Sequence, residues 1–207
     1  MTITTHPATV RNRLLYCGLL AGPLFVLAFL VEGAARGHGY DPLRHPVSSL
    51  ELGEYGWTQT TTFLLAGALT VAFAIGLWRE ARLGAVLVGL WGVGLLGAGV
   101  FTTDPVSGYP IGTANTIEYT TSGALHDAFS LPGFLALAAA QVVLARGQSR
   151  GWALYSLLSA AAFVAAFLLS SSGFSQTEPL VGVAGLFQRV AVIIGWTWLA
   201  ALAWRKR

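Results

Sequence analysis

The chain has 207 residues, of which 55% are hydrophobic and only 10% charged, with a formal net charge of +3. Soluble domains carry about a quarter charged residues, so this chain cannot clothe a globular surface in hydrated groups, which excludes soluble and disordered readings. A lone cysteine, Cys17, excludes an internal disulfide and any cysteine-built zinc cluster.

A bilayer core takes roughly 20 apolar residues of helix. In chain order, uncharged apolar stretches predict transmembrane helices over about 14–33, 58–78, 83–103, 124–145, 152–172 and 183–204. The expected fold class is all-α, a single six-helix membrane bundle over 1–207. The first stretch follows Arg11 and Arg13, as a signal peptide would. Its apolar core is long and no Ala-x-Ala site follows, so it reads as a retained helix. Pro23 and Pro132 predict kinks in the first and fourth spans. The third is rich in glycine, from Gly84 to Gly99, which predicts close helix packing. The sixth is interrupted by Gln188 and Arg189.

Charge sets the expected orientation. Arg11, Arg13, Arg79, Arg82, Arg146, Arg150, Arg205, Lys206 and Arg207 all fall at one set of span ends. The positive-inside rule makes that end cytoplasmic, with both termini inside, in a bacterial-type plasma membrane. This placement accounts for the positive charge without a nucleic-acid partner. The other end carries the long loops, 34–56, 103–123 and 173–182, where binding and catalytic groups concentrate.

Polar residues gather there. Arg189 lies roughly 6 Å inside its span and needs a compensating partner. Glu32, Asp104 and Asp127 are the expected carboxylates, either as a helix-locking ion pair or as part of a site. His126 and Asp127 are adjacent on the fourth span, about 100° apart around the helix. A histidine beside a carboxylate can carry a proton, and an aspartate at a helix start can equally cap it. The segment 45–53 alternates Ser48, Ser49 and Glu51 with Val47, Leu50 and Leu52. It is expected to re-enter the bundle or lie along the interface, ending at Trp57. No nucleophile-elbow pattern surrounds its serines. His38, His45 and His126 could meet Asp41 or Asp104, but no two ligands share a helical turn, so no metal is expected.

Four stretches carry a resemblance. They are His45-Pro46-Val47-Ser48-Ser49-Leu50, Phe101-Thr102-Thr103-Asp104-Pro105 with Gly108-Tyr109-Pro110, Leu125-His126-Asp127-Ala128-Phe129-Ser130-Leu131-Pro132, and Gly185-Leu186-Phe187-Gln188-Arg189. Together they resemble a bacterial membrane family, the domain of unknown function numbered 998, over nearly the whole chain. The resemblance implies a six-helix bundle and no established activity, and it directs attention to the residues of the loop end.

The function expected from these residues is an integral membrane enzyme acting on a lipid-soluble, isoprenoid-like substrate by acid-initiated, terpene-cyclase-like chemistry. A carboxylic acid kept neutral by apolar surroundings can protonate an alkene, and aromatic faces can stabilise the resulting cation. Asp127, Asp104 and Glu32 are the acid candidates, with His126 tuning one of them. Arg189, Gln188, Ser48, Ser49 and Glu51 would hold a polar end. Phe25, Phe29, Trp57, Phe101, Phe129, Phe134 and Trp196 would line an outward-opening pocket. No cofactor motif is present. The expected partners are a membrane lipid or hydrophobic small molecule, the bilayer itself, and a second copy of the chain if it oligomerises. A non-catalytic lipid-binding or assembly protein, and a small proton-coupled transporter working as a dimer, are the alternatives.

Overall fold

A computed structural model describes residues 7–37 and 39–207, with side chains from Val10 onward. His6 and His38 lie outside the described residues. Each apolar stretch forms a helix: α1 (Pro7–Ala35), α2 (Gly56–Leu77), α3 (Arg82–Val100), α4 (Thr121–Val143), α5 (Arg150–Phe174) and α6 (Ala184–Lys206). All six are long and apolar enough to cross a membrane. Among the described residues there is no strand, only an isolated bridge between Val106 and Tyr109.

Helix ends follow local chemistry. α4 begins at Thr121 because the Thr120 hydroxyl accepts from the Gly123 N–H at 3.1 Å, an N-cap. α3 stops at Val100, short of the expected 103. Phe101 turns to an extended backbone, with φ −109° and ψ 107°, on the way to Pro105, which disfavours helix at Asp104. Pro23 and Pro132 sit within continuous helices.

The surface is apolar where a soluble protein's would be polar. Leu20, Leu27, Val31, Leu65, Leu135, Leu158 and Leu168 face outward, while Phe73, Trp91, Phe163, Trp196 and Trp198 fill the interior. Such all-round hydrophobicity suits helices solvated by lipid, whose backbone polar groups are satisfied internally. The chain is therefore a multi-pass membrane protein.

The helices form a ring in chain order, closed by α6 against α1. Glycine permits the tightest approach. A Cβ on Gly94 would stand 2.9 Å from the Phe129 carbonyl, so α3 and α4 pack nearly backbone to backbone. α4 and α5 pack least extensively of the neighbouring pairs. The loop after α1 re-enters the bundle as a 3-10 helix (Val47–Glu51), resting on α1, α2 and α6 with Val47, Ser49, Leu50 and Glu51 buried. At the opposite end Glu80 pairs with Arg11 and, at 3.0 Å, with Lys206, drawing together both chain ends and the α2–α3 turn.

Candidate functional site

A cavity of about 260 Å³ lies at the loop end, just below the roughly 300 Å³ at which small-molecule sites usually begin. Its apolar wall comes from Phe25, Phe63, Trp91, Leu95, Phe134 and Phe167. Its polar wall includes Ser48, Asp104, His126, Asp127, Ser170 and Gln188. Leu131 and Phe134 of α4 and Phe167 and Ser171 of α5 line it and are not buried, so it reaches the loosely packed α4–α5 seam. The chamber is thus amphipathic, with an apolar wall among the helices and polar groups near the loops.

His126 and Asp104 are the buried titratable groups on this wall, 3% and 6% exposed; His126 is the one that can both take and give a proton near neutral pH. Its Nδ1 stands 2.8 Å from the Phe101 carbonyl. A carbonyl only accepts, so Nδ1 carries the proton and Nε2 is the unprotonated nitrogen of neutral His126. Behind the ring, Glu51 Oε2 lies 3.5 Å from Nδ1. Glu51 accepts from the Thr60 hydroxyl and the Thr103 N–H, each at 3.3 Å. Both are long for hydrogen bonds. Burial is not offset by these contacts, and it pushes the Glu51 carboxyl up to about 8. The result is a carboxyl–imidazole pair, with the carboxyl hidden and the ring against the cavity.

Arg189 has a different setting from the expected one. No carboxylate reaches it among the described residues. Its Nη1 donates to the carbonyls of Pro42 (2.5 Å), His45 (2.9 Å) and Gly185 (3.0 Å), and Nη2 donates to the Tyr40 hydroxyl. Its guanidinium also stands over Phe29 and Tyr40, 5.8 and 5.7 Å from the ring centroids. Carbonyl dipoles and aromatic faces compensate the charge that carboxylates were expected to meet. Arg189 does not line the cavity; it straps the 40–46 loop to α6. Gln188 assists by accepting from the Val47 N–H at 2.7 Å. His45, held by the Asp41 N–H and the Ser107 carbonyl, completes the loop. Burial pushes the His45 imidazole down, and pushes the Tyr40 hydroxyl up to about 12.

Of the three expected acids, Asp104 and Asp127 line the cavity and Glu32 does not. Asp104 lines the cavity and accepts from the Thr120 N–H (2.8 Å) and hydroxyl (2.7 Å), clamping the α3–α4 loop to the start of α4. Gly123 is required beneath it, because a Cβ there would lie 1.9 Å from Asp104 Oδ2. Asp127 lines the cavity and accepts from the Tyr119 hydroxyl at 3.0 Å. Burial and the Asp127 charge push the Tyr119 hydroxyl up. Glu32 is not among the lining residues, and its side chain lies beside Thr58 and Thr62 of α2.

Of the remaining expected residues, Ser48 and Phe134 line the cavity with Phe25. Ser49 is fully buried beside it with an unpartnered hydroxyl. Phe101 and Phe129 stack on each other at 5.6 Å, and Phe29 lies under Arg189. Trp196 packs behind the wall, between Phe25 and Trp91. Trp57 is 65% exposed on the outside, where an interfacial tryptophan belongs. Sequence reading missed Tyr40, Thr60, Phe63, Trp91, Thr120 and Phe167. Only Thr120 had a local signal, a hydroxyl residue directly before a helical run.

No curated protein and no solved structure matches the chain. The family model described as a protein of unknown function, DUF998, matches residues 19–205, so the chain belongs to that family of membrane proteins.

Proposed function

We propose that the chain is a membrane enzyme modifying an amphiphilic lipid, with His126 as the proton-transfer group and Glu51 as its positioning partner. The observation that carries this reading is the Glu51–His126 pair, 3.5 Å apart, whose imidazole borders an amphipathic cavity. The apolar wall suits a tail that leaves through the α4–α5 seam, and the polar wall suits a head group. Nε2 takes the proton of a hydroxyl held among the polar groups, so that this oxygen becomes the nucleophile. Nδ1–H stays on the Phe101 carbonyl, fixing the ring. Ionised Glu51 would stabilise the imidazolium that forms, as the carboxylate does in hydrolase triads. Base catalysis therefore rises as pH climbs through about 8, where Glu51 ionises.

The acid-initiated, isoprenoid-cyclising reading remains the second proposal, favoured by one observation. Asp104 and Asp127, two of its acid candidates, line the cavity beside Phe25, Phe63, Trp91, Phe134 and Phe167, whose aromatic faces a carbocation needs. Its pH dependence is opposite, falling as pH rises. On either reading the arginine-rich end lies in the cytoplasm of a plasma-membrane protein, and the site opens outward.

The test is to reconstitute the protein with a total bacterial lipid extract and follow every lipid by mass spectrometry, beside His126→Asn. One lipid class converted by wild type alone supports an enzyme, and the sign of its pH profile selects base or acid. No conversion that depends on wild type, from pH 6 to pH 9, overturns both readings in favour of a non-catalytic lipid-binding protein.

A further inference from the structure

A second cavity, of about 330 Å³, lies at the opposite end of the bundle, between the start of α3 and the ends of α4 and α6. Its walls hold Arg82, Arg146, Arg205 and Lys206, with Glu80 the one carboxylate. Glu80 is already held by Arg11 and Lys206. Among the described residues, Arg82, Arg146 and Arg205 reach no carboxylate at all. Arg205 is instead steadied over the Trp152 ring, 4.6 Å from its centroid.

Backbone adds to this field. Ala81, Arg82, Leu83 and Gly84 line the cavity, and α3 starts without a capping side chain. Its first N–H groups and the positive end of its dipole are therefore open to an anion. Donors already engage one carbonyl at each of the competing negative helix ends: Trp152 Nε1 donates to the Leu144 carbonyl beyond α4 at 3.2 Å, and Arg11 Nη2 donates to the Lys206 carbonyl of α6 at 3.3 Å. Leu83, Val143, Leu144 and Leu202 supply apolar wall beside the charges. Three unpaired guanidiniums and an uncapped helix start match a phosphate. The apolar wall, at the level where the helices leave the membrane, matches the glycerol and acyl carbons attached to it.

We infer that this cleft binds the phosphate of an anionic phospholipid, held by Arg82, Arg146, Arg205 and the first turn of α3. The site is independent of the chemistry proposed at the other end. A phosphatidylglycerol is a sufficient ligand, because its net charge answers cations that a zwitterionic head group leaves partly uncompensated.

Native mass spectrometry of the full chain in neutral detergent, titrated with phosphatidylglycerol or with phosphatidylcholine of the same acyl chains, tests this. Wild type should retain one phosphatidylglycerol at concentrations where phosphatidylcholine is lost. Arg82→Gln/Arg146→Gln should bind it about thirtyfold more weakly, at about fivefold per cation. Arg13→Gln/Arg150→Gln removes the same charge at the same end but outside the cleft, and should bind as wild type does. Equal retention of the two lipids, or equal weakening in both double variants, overturns the site. Thermal stabilisation by millimolar inorganic phosphate equal to that by phosphatidylglycerol would also overturn it, by assigning the cleft to a soluble phosphate. If the double variant does not fold, Arg146→Gln alone, at an exposed side chain beyond α4, carries the comparison with an expected fivefold loss.

Discussion

Two buried ionisable knots sit at the same end of this bundle and are built on opposite terms. Around Arg189, three carbonyls, a hydroxyl and two aromatic faces surround one guanidinium. Around Glu51, two long hydrogen bonds and a neighbouring imidazole are all that answer a buried carboxyl. The first is compensated and set back from the cavity, so its energy goes into holding a loop. The second is undercompensated and one ring away from the cavity, so its protonation state is left adjustable. A buried charge in a membrane protein is thus not by itself a sign of chemistry; how completely it is satisfied, and what space it adjoins, separates a strap from a site.

Substitutions can break this contrast. The largest expected effect is on turnover: His126→Asn should reduce it by about 10² to 10⁴, the usual share of a proton-transfer group, with the protein still folded by circular dichroism. Retained turnover would move the chemistry away from the Glu51 pair. Next comes Arg189→Met, which strands the Pro42, His45 and Gly185 carbonyls. It should cost about 3–5 kcal/mol in equilibrium unfolding. A stable variant that loses only lipid turnover would make Arg189 part of the site after all.

Gly123→Ala sharpens the role of Asp104. The new methyl collides with the carboxylate that clamps α4, at a cost of about 1–3 kcal/mol. A Tm within error of wild type would show that the clamp is dispensable. The smallest effect is that of Glu51→Gln at or below about pH 4.5, where it mimics a carboxyl that is protonated in both folded and unfolded chains and should change stability by less than about 1 kcal/mol. Its pH dependence is the informative part. Folded Glu51 holds its proton to about 8, while the unfolded chain releases it near 4.5. The contribution of Glu51 to stability is complete below 4.5 and lost as pH rises to about 8. Wild type should therefore lose stability relative to Glu51→Gln across that window, measured as the difference in Tm. Parallel curves would mean that Glu51 ionises normally.

Much of the fold was legible in the chain. Apart from α1, which starts at Pro7, seven residues before the expected 14, and runs through Arg11 and Arg13, the helices begin and end within a few residues of the uncharged stretches because span length and flanking charge are local properties that the bilayer reads directly. The segment 45–53 was legible in part, since Val47, Leu50 and Leu52 declare an apolar face, while its re-entry into the bundle rather than a place along the interface came from the fold. The site was legible only in outline. His126, Asp104, Asp127 and Gln188 were recognisable as polar residues out of place, yet their partners were not. Asp104 looked like an acid at a mouth; it lines the cavity and also clamps Thr120, a partner the sequence did not show. Glu51 looked like a polar group for a substrate head and lies hidden behind His126.

By itself, then, the sequence determined six lipid-facing helices, most of their ends, and which polar residues would lie near the loops. Only the tertiary structure decided that Arg189 straps a loop while Glu51 stands behind an imidazole. The reason is physical: hydrophobic length acts along one segment, whereas the burial and pairing of a charge depend on groups brought from elsewhere in the chain. Arg189 is held by residues 144 and 147 positions away, and no pattern within α6 encodes them.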